Sequence, residues 1–412
     1  MSAWPRGSWQ SSRRKRSTAG SARAARRRSA TVAPGGTGAP SSTIRKGSPA
    51  VCQSLVTMSI EWASWRAVPP LSILGADQLV RPPAGGPAFL RHDRAGELDL
   101  GPGALSVRAG RIAALAADPA APVQIDAGGG AVVPGFVDAH THLPFAWDDG
   151  PVLPAARRQA AELLREGTTA FECRGASLEQ LRLAARLAGA IEQETVATAE
   201  VAPEQTAEVV AGTRVRALAT NETGVAAAGP AAAAHDLWLR VDATERVGAA
   251  LEHGARSVHG LTELPAGEIA ALAGSDAAAV LLPAAELLHA DHVAPGRALA
   301  DAGAICVLAS GLHPQRAPAS SMPLLLGLAA RLYGFDAREA LLAATLNAAW
   351  ALGRSEDLGS LEPGKRADLL VLDAPVETLT HRLGRNPVAV VVCGGELAWV
   401  RPDQAWRVTV SG

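Results

Sequence analysis

The sequence is poor in aromatic residues and in cysteine, and it lacks any long apolar run. Only 4% of its 412 residues are aromatic, so its helices are expected to pack through small and aliphatic side chains. The four cysteines lie far apart and form no Cys-x-x-Cys pair, which indicates reduced thiols in a cytoplasmic protein. No stretch reaches the roughly 20 apolar residues of a membrane span, and no apolar core of a secretory signal follows the N-terminal charges.

Acidic residues are absent from positions 1–57, which contain eleven Lys and Arg. Subtracting these eleven from the 39 basic residues leaves 28 against 40 acidic ones from Met58 onward, a net charge of −12. A strongly acidic body is unsuited to nucleic acid, and no apolar run is long enough for a bilayer, so neither a nucleic-acid partner nor a membrane partner is expected.

Residues 1–57 consist mainly of Ser, Arg, Ala, Gly and Pro and show little apolar periodicity, which predicts a disordered basic extension. Three interpretations are open: a basic arm, an organellar transit peptide, or upstream sequence translated from a start codon placed too early. Met58 directly precedes the first strand-like pattern, which favours the third.

Strand-like and helix-like segments alternate between residues 134 and 355, as in a parallel βα array. The helical patterns include Pro154–Glu166 and Leu178–Glu192. The apolar runs predict eight strands: Val132–Ala139, Thr168–Cys173, Thr195–Val201, Val215–Thr220, Leu237–Ala243, Arg256–Leu261, Ala278–Leu282 and Ile305–Ala309. Eight such units predict an α/β TIM (β/α)8 barrel, whose active site lies at the C-terminal strand ends.

A His-x-His pair, His140 and His142, follows the first of these runs within the stretch Pro134-Gly-Phe-Val-Asp-Ala-His-Thr-His-Leu-Pro-Phe145. Side chains two residues apart on a strand project to the same side, so both imidazoles are expected side by side at a strand end. Neutral imidazoles suit Zn²⁺ or Fe²⁺, and the pair therefore predicts a site for one divalent ion.

This stretch resembles the first-strand motif of the amidohydrolase superfamily. Within that superfamily the chain is most similar to the imidazolonepropionase family, through His140-Thr-His-Leu-Pro-Phe-Ala146, Glu166-Gly-Thr-Thr-Ala-Phe-Glu-Cys-Arg174 and Ala279-Val-Leu-Leu-Pro-Ala-Ala285. The C-terminal Gly359–Asp373 resembles the superfamily's sandwich motif. The resemblance implies a β-sandwich domain built from residues 58–133 and 356–412, a barrel over residues 134–355, and a homodimer.

The family's motifs also place catalytic positions, several of which differ here. The family's third metal-binding His falls at Asp242, and the Glu that handles the water is kept as Glu245. His259 is displaced by one residue from the family's position, a shift that turns a strand side chain to the other face. Gly311 stands where the family has a metal-binding Asp, and His313 follows two residues later.

The predicted site therefore contains metal ligands, acid–base residues and substrate-binding residues: His140, His142 and Asp242 for the ion, Glu245 and His313 for catalysis, and Arg174 and His259 for substrate. A structural ion pair with Glu172 is the alternative for Arg174. Three protein ligands plus water is the usual arrangement of catalytic zinc, and metal-bound water can attack a cyclic amide.

Two classes of function remain open at this point. One is a metal-dependent hydrolase of a C–N bond in a small cyclic amide, like the family that opens imidazolone propionate in histidine breakdown. The other is a catalytically inactive relative that binds a small molecule. Metal content and its loss in Asp242→Ala distinguish the two.

Overall fold

The computed structural model describes residues 68–145, 151–243, 245–289 and 292–411. The predicted extension 1–57 and Met58 lie outside the described residues. The strands, in chain order, are β1 Leu71–Ala76, β2 Gln78–Leu79, β3 Gly103–Arg108, β4 Arg111–Ala114, β5 Val123–Asp126, β6 Ala131–Pro134, β7 Phe136–Asp138, β8 Thr168–Gly175, β9 Glu194–Ala199, β10 Ala217–Asn221, β11 Trp238–Asp242, β12 Ala255–His259, β13 Ala278–Leu281, β14 Ile305–Leu308, β15 Leu369–Leu372, β16 Val388–Cys393, β17 Glu396–Val400 and β18 Val408–Val410.

Eight of these strands, β7 to β14, form one parallel sheet in which neighbours in sequence are neighbours in space. A parallel bridge between Thr141 and Leu312 joins the segments that follow the first and last strands, and the His142 N–H donates to the Leu312 carbonyl at 3.0 Å. The sheet therefore closes on itself beyond its strand ends, which confirms the predicted TIM barrel.

The prediction of one continuous strand over Val132–Ala139 is wrong, because this segment forms two strands, β6 and β7. Its first part, β6, pairs with β15 in another sheet, and only β7 joins the barrel. Gly135 separates the two, at a position where a Cβ would lie 2.1 Å from Thr169 Oγ1. The Pro-Gly step of the motif thus lets the chain pass close to β8 as it changes sheet.

Helices connect the barrel strands and continue beyond the barrel. They are α1 Val152–Arg165, α2 Leu178–Ala188, α3 Thr206–Gly212, α4 Val225–Ala234, α5 Gly248–Glu252, α6 Ala266–Ala273, α7 Pro283–His289, α8 Gly296–Asp301, α9 Met322–Leu332, α10 Ala337–Ala344, α11 Leu346–Ala351 and α12 Thr378–His381. Side-chain caps begin three of them: Ser177 for α2, Ser321 for α9 and Asp336 for α10.

Two five-stranded sheets come from both flanks of the barrel, with strand orders β18-β5-β1-β3-β4 and β17-β16-β15-β6-β2. They share one apolar core, in which Ile73 and Ile125 of the first sheet cluster with Val371 and Val390 of the second. A hairpin turn at Ala109-Gly110 joins antiparallel β3 and β4, and both turn residues have positive φ.

The described cysteines are buried thiols, and the helices are short. Cys173, Cys306 and Cys393 are buried and unpaired as disulfides. Among the described helices, none combines the length and apolar character that a bilayer crossing demands.

Candidate metal centre

The two histidines of the His-x-His motif lie just beyond the end of β7, at the C-terminal mouth of the barrel. The carboxylate of Asp138 accepts from the backbone N–H groups of His140 at 3.3 Å and Ser310 at 3.0 Å, which fixes the chain between β7 and β14. The Nε2 atoms of His140 and His142 lie 3.3 Å apart. The motif therefore brings the two imidazoles together, although the strand ends before either residue.

Asp242 and His259 end β11 and β12 and face each other in the register of the two strands. Nδ1 of His259 lies 2.9 Å from Nδ1 of the buried His140. Ligand atoms of His140, Asp242 and His259 all lie within 4.8 Å of one another. Residues from three separate strand ends thus converge into one group of possible ligands, which we call the donor set.

Burial keeps the imidazoles at the mouth neutral. Desolvation first, then the charge of Arg174 and the neighbouring His259, holds the pKa of His140 well below its ordinary value. The pKa of His259 is lowered in the same way by burial and by Arg174 and Arg240. Burial and Arg174 lower the pKa of His142 to about 4. At neutral pH each ring is therefore uncharged and keeps one nitrogen lone pair.

A buried ionic group lies beneath the donor set, and we call it the inner charge cluster: Glu172, Arg174 and Arg240. The carboxylate of Glu172 accepts from Arg174 Nε and lies 2.6 Å from Nε of Arg240, and all three side chains have no exposed surface. Thr198 donates to Glu172 at 2.7 Å, and Arg240 donates to the carbonyl of Ala351 at 2.6 Å. The two arginines hold the pKa of Glu172 below its usual value although burial alone would raise it.

Arg174 connects this cluster to the donor set. Its Nη1 donates to Glu200 at 3.1 Å and to both carboxylate oxygens of Asp242 at 3.3 Å. Its Nη2 lies 3.3 Å from the ring nitrogens of His259, which also bonds to Ser257 at 2.8 Å. The structural ion pair with Glu172 is thus present, and the role of Arg174 in holding substrate stays a prediction.

The other predicted residues lie at different distances from the donor set. The ring of His313 stands edge-on to His142, with 5.2 Å between the centroids. Glu245 is exposed, and its backbone N–H donates to Glu222 at 3.3 Å. Gly311, at the position of the family's strand-eight Asp, has a φ of 63° and cannot supply a ligand.

The donor set fits a divalent ion of the zinc type. It offers two neutral imidazoles and one carboxylate, which are ligands that catalytic Zn²⁺ takes together with water. His142, beside His140, borders the same space. The guanidinium of Arg174, which bonds to Asp242 and lies against His259, opposes a cation there.

Sequence reasoning missed that His259 belongs with the donor set and did not single out Arg240 or Glu200. The expected turn of His259 to the other face does not occur, because β12 ends at that residue with Ser257 and His259 on one side. The signal for Arg240 was present, since an arginine inside the apolar run Trp238–Val241 needs a buried partner.

Comparisons with known proteins agree with this fold. The sequence profile of the amidohydrolase family matches residues 222–398. Among solved structures, an adenosine deaminase from Xanthomonas campestris with bound zinc superposes with a TM-score of 0.62 at 21% identity, covering 80% of this chain and 93% of that one. A putative prolidase from Bifidobacterium longum gives a TM-score of 0.65 at 22% identity, over 82% of this chain and all of its own length. The fold and the site define an amidohydrolase-type barrel.

Curated relatives narrow this class. The imidazolonepropionase of Mycolicibacterium smegmatis is 34% identical, over 73% of this chain and 94% of the relative. That of Rubrobacter xylanophilus is 33% identical, over 79% and 98%. The chain belongs to the imidazolonepropionase family.

Proposed function

We propose that this chain is a metal-dependent hydrolase that opens a small cyclic amide, with imidazolone propionate as the substrate to test. The observation that carries the proposal is the donor set, since His140, Asp242 and His259 place ligand atoms within 4.8 Å of one another at the mouth of an amidohydrolase barrel. Family membership supports the reaction class, and the geometry supports these three residues as ligands despite the altered motifs.

His140, Asp242 and His259 would hold the ion, whose identity we propose as Zn²⁺ or Fe²⁺. When bound there, such an ion supplies Lewis acidity toward an amide carbonyl and lowers the pKa of water to about 7. This assignment keeps two of the three ligands expected from the sequence and adds His259. His142 remains next to His140, where it lines the space above the donor set.

Proton transfer is assigned to His313. Burial first, then Arg316, lowers the pKa of His313 below its ordinary value, so the ring is neutral near neutral pH and can accept a proton. It stands beside His142 and is only partly buried, so a substrate at the mouth can reach it. Glu245 stays a prediction for the same step, since among the described residues no contact joins it to the donor set.

The test is hydrolysis of imidazolone propionate by protein loaded with Zn²⁺ or Fe²⁺. Turnover should fall at least about 100-fold in Asp242→Ala and in His259→Ala, because each removes one ligand. Glu252→Ala, an exposed carboxylate change on α5, is the matched control and should keep full activity. A metal-loaded parent protein without turnover on this substrate contradicts the proposal and favours the binding-protein alternative.

A cytoplasmic location follows from the reduced cysteines and stays a prediction, as does the homodimer that the family resemblance implies. Fractionation and the molar mass in solution test them independently of the assay.

A further inference from the structure

We propose that Arg174 acts as an internal cation that competes with the metal ion for Asp242 and His259. The inference rests on the proposed function, because it concerns the same donor set. Metal uptake then requires Arg174 to release both ligands, and the metal affinity of this chain is set by that exchange.

The contacts of Arg174 support competition directly. Its Nη1 lies 3.3 Å from both carboxylate oxygens of Asp242, and its Nη2 lies 3.3 Å from the ring nitrogens of His259. Two of the three members of the donor set thus already bond to a cation. A lone pair that accepts from a guanidinium must give up that bond before it can coordinate a metal.

Charge works in the same direction as geometry. The guanidinium of Arg174 stays protonated in proteins and is fully buried here, so solvent screens it much less than it would a surface charge. A divalent ion between Asp242 and His259 would lie within a few ångströms of this charge. Repulsion at that distance weakens the binding of the ion unless the arginine withdraws.

Arg174 has other partners that can remain if it releases Asp242 and His259. Its Nε is held by Glu172 at 2.6 Å, and its Nη1 also bonds to Glu200 at 3.1 Å. The side chain of Asp242 is 46% exposed, whereas that of Arg174 is fully buried. The contacts to Asp242 and His259 can therefore break while the ion pair with Glu172 persists. Glu200 then remains as a partner for the freed Nη1.

Arg174→Met tests the inference, with Arg174→Lys as a second variant that retains the charge. Glu172 keeps Arg240 and Thr198 in Arg174→Met, so one counter-charge remains in the cluster. The measurement is the Zn²⁺ dissociation constant of purified, metal-stripped protein, determined with a competing chelator. Arg186→Met, an exposed arginine on α2, is the control and should match the parent protein.

We expect Zn²⁺ to bind at least about tenfold more tightly to Arg174→Met than to the parent chain. Arg174→Lys should fall between them, since an ammonium has the charge but not the fork that spans Asp242 and His259. If Arg174→Met does not fold, tighter binding by Arg174→Lys alone supports the inference.

Two outcomes separate this inference from the proposed function. Equal or weaker affinity in the folded variants, with metal bound by the parent protein, overturns competition by Arg174 and leaves the hydrolase proposal standing. Zn²⁺ binding by Arg174→Met but not by the parent chain supports competition and contradicts metal-dependent turnover in the native chain. No binding by any of them overturns both.

Discussion

Two buried polar regions of this molecule differ in how they accommodate a polar side chain. In the inner charge cluster, the carboxylate of Glu172 lies between Arg174 and Arg240 and forms an ion pair with each, and none of the three side chains is exposed. His92 is equally buried, but neither of its ring nitrogens has a hydrogen-bond partner in the described part of the chain, and its ring packs 4.5 Å from that of Phe335.

The difference lies in charge. Burial, with Arg297 as a smaller cause, lowers the pKa of His92 to about 3, so the ring stays neutral inside the protein. The cluster keeps its ions and connects through Arg174 to Asp242 and His259. Burial of a histidine alone therefore does not indicate a functional site, whereas buried charge that continues into a group of possible ligands is a stronger indication of one.

Removal of the central carboxylate should have the largest effect on stability. Glu172→Ala leaves two buried guanidinium groups facing each other without their shared partner, and we expect it to lower the free energy of unfolding by about 3–5 kcal/mol. Urea denaturation measures the change. Glu200→Ala, which removes a side chain that is 27% exposed, should cost about 1 kcal/mol or less. Equal costs would contradict the special position of Glu172.

The burial of His92 should make the stability of the protein depend on pH. Its folded pKa of about 3 lies below the ordinary 6.5, so between these values the unfolded chain binds one more proton than the folded chain. The neutral His92 therefore contributes its full stabilisation above pH 6.5. As the pH falls from 6.5 to 4.5, the free energy of unfolding should decrease by about 2 kcal/mol.

His92→Leu removes this titrating group. The free energy of unfolding of the variant should therefore lack the decrease of about 2 kcal/mol between pH 6.5 and 4.5 that His92 causes in the parent chain. Urea denaturation at several pH values measures it, and His381→Leu, an exposed change at the end of α12, should keep the steep dependence of the parent chain. A profile of His92→Leu that parallels the parent would show that other groups dominate the acid response.

The smallest expected effect on stability is that of the capping box of α10. Its first residue, Asp336, directly follows Phe335, which packs against His92. The Asp336 side chain accepts from the Glu339 N–H at 2.9 Å, and Glu339 accepts from the Asp336 N–H at 2.8 Å. Asp336→Ala should lower stability by about 1 kcal/mol, whereas Asp336→Ser keeps a capping oxygen and should lose less. Thermal unfolding distinguishes the two variants. A melting temperature of Asp336→Ala equal to that of the parent chain would exclude a stabilising role for the cap.

The barrel could be predicted because its strands are short apolar runs between turns and helices. The last strand, expected at Ile305–Ala309, occurs as Ile305–Leu308. The division at Gly135 could not be predicted, since both β6 and β7 are apolar and only their partners in other parts of the chain separate them.

The site was less predictable than the fold. His140 and Asp242 could be found because specific motifs mark them, and the structure brings both into the donor set. The contribution of His259 depends on where β12 ends relative to β11, which is a matter of register. Arg174 forms ion pairs with both Glu172 and Asp242, which are 70 positions apart in the chain. No local sequence pattern indicates such a connection.

The central claim is that one divalent ion binds at the barrel mouth between His140, Asp242 and His259. Anomalous diffraction from crystals of the Zn²⁺-loaded protein, recorded at the zinc edge, tests it most directly. We predict one strong peak in contact with these three side chains, with the guanidinium of Arg174 moved away from Asp242. A peak elsewhere, or none while Arg174 still bonds to Asp242, would contradict the account.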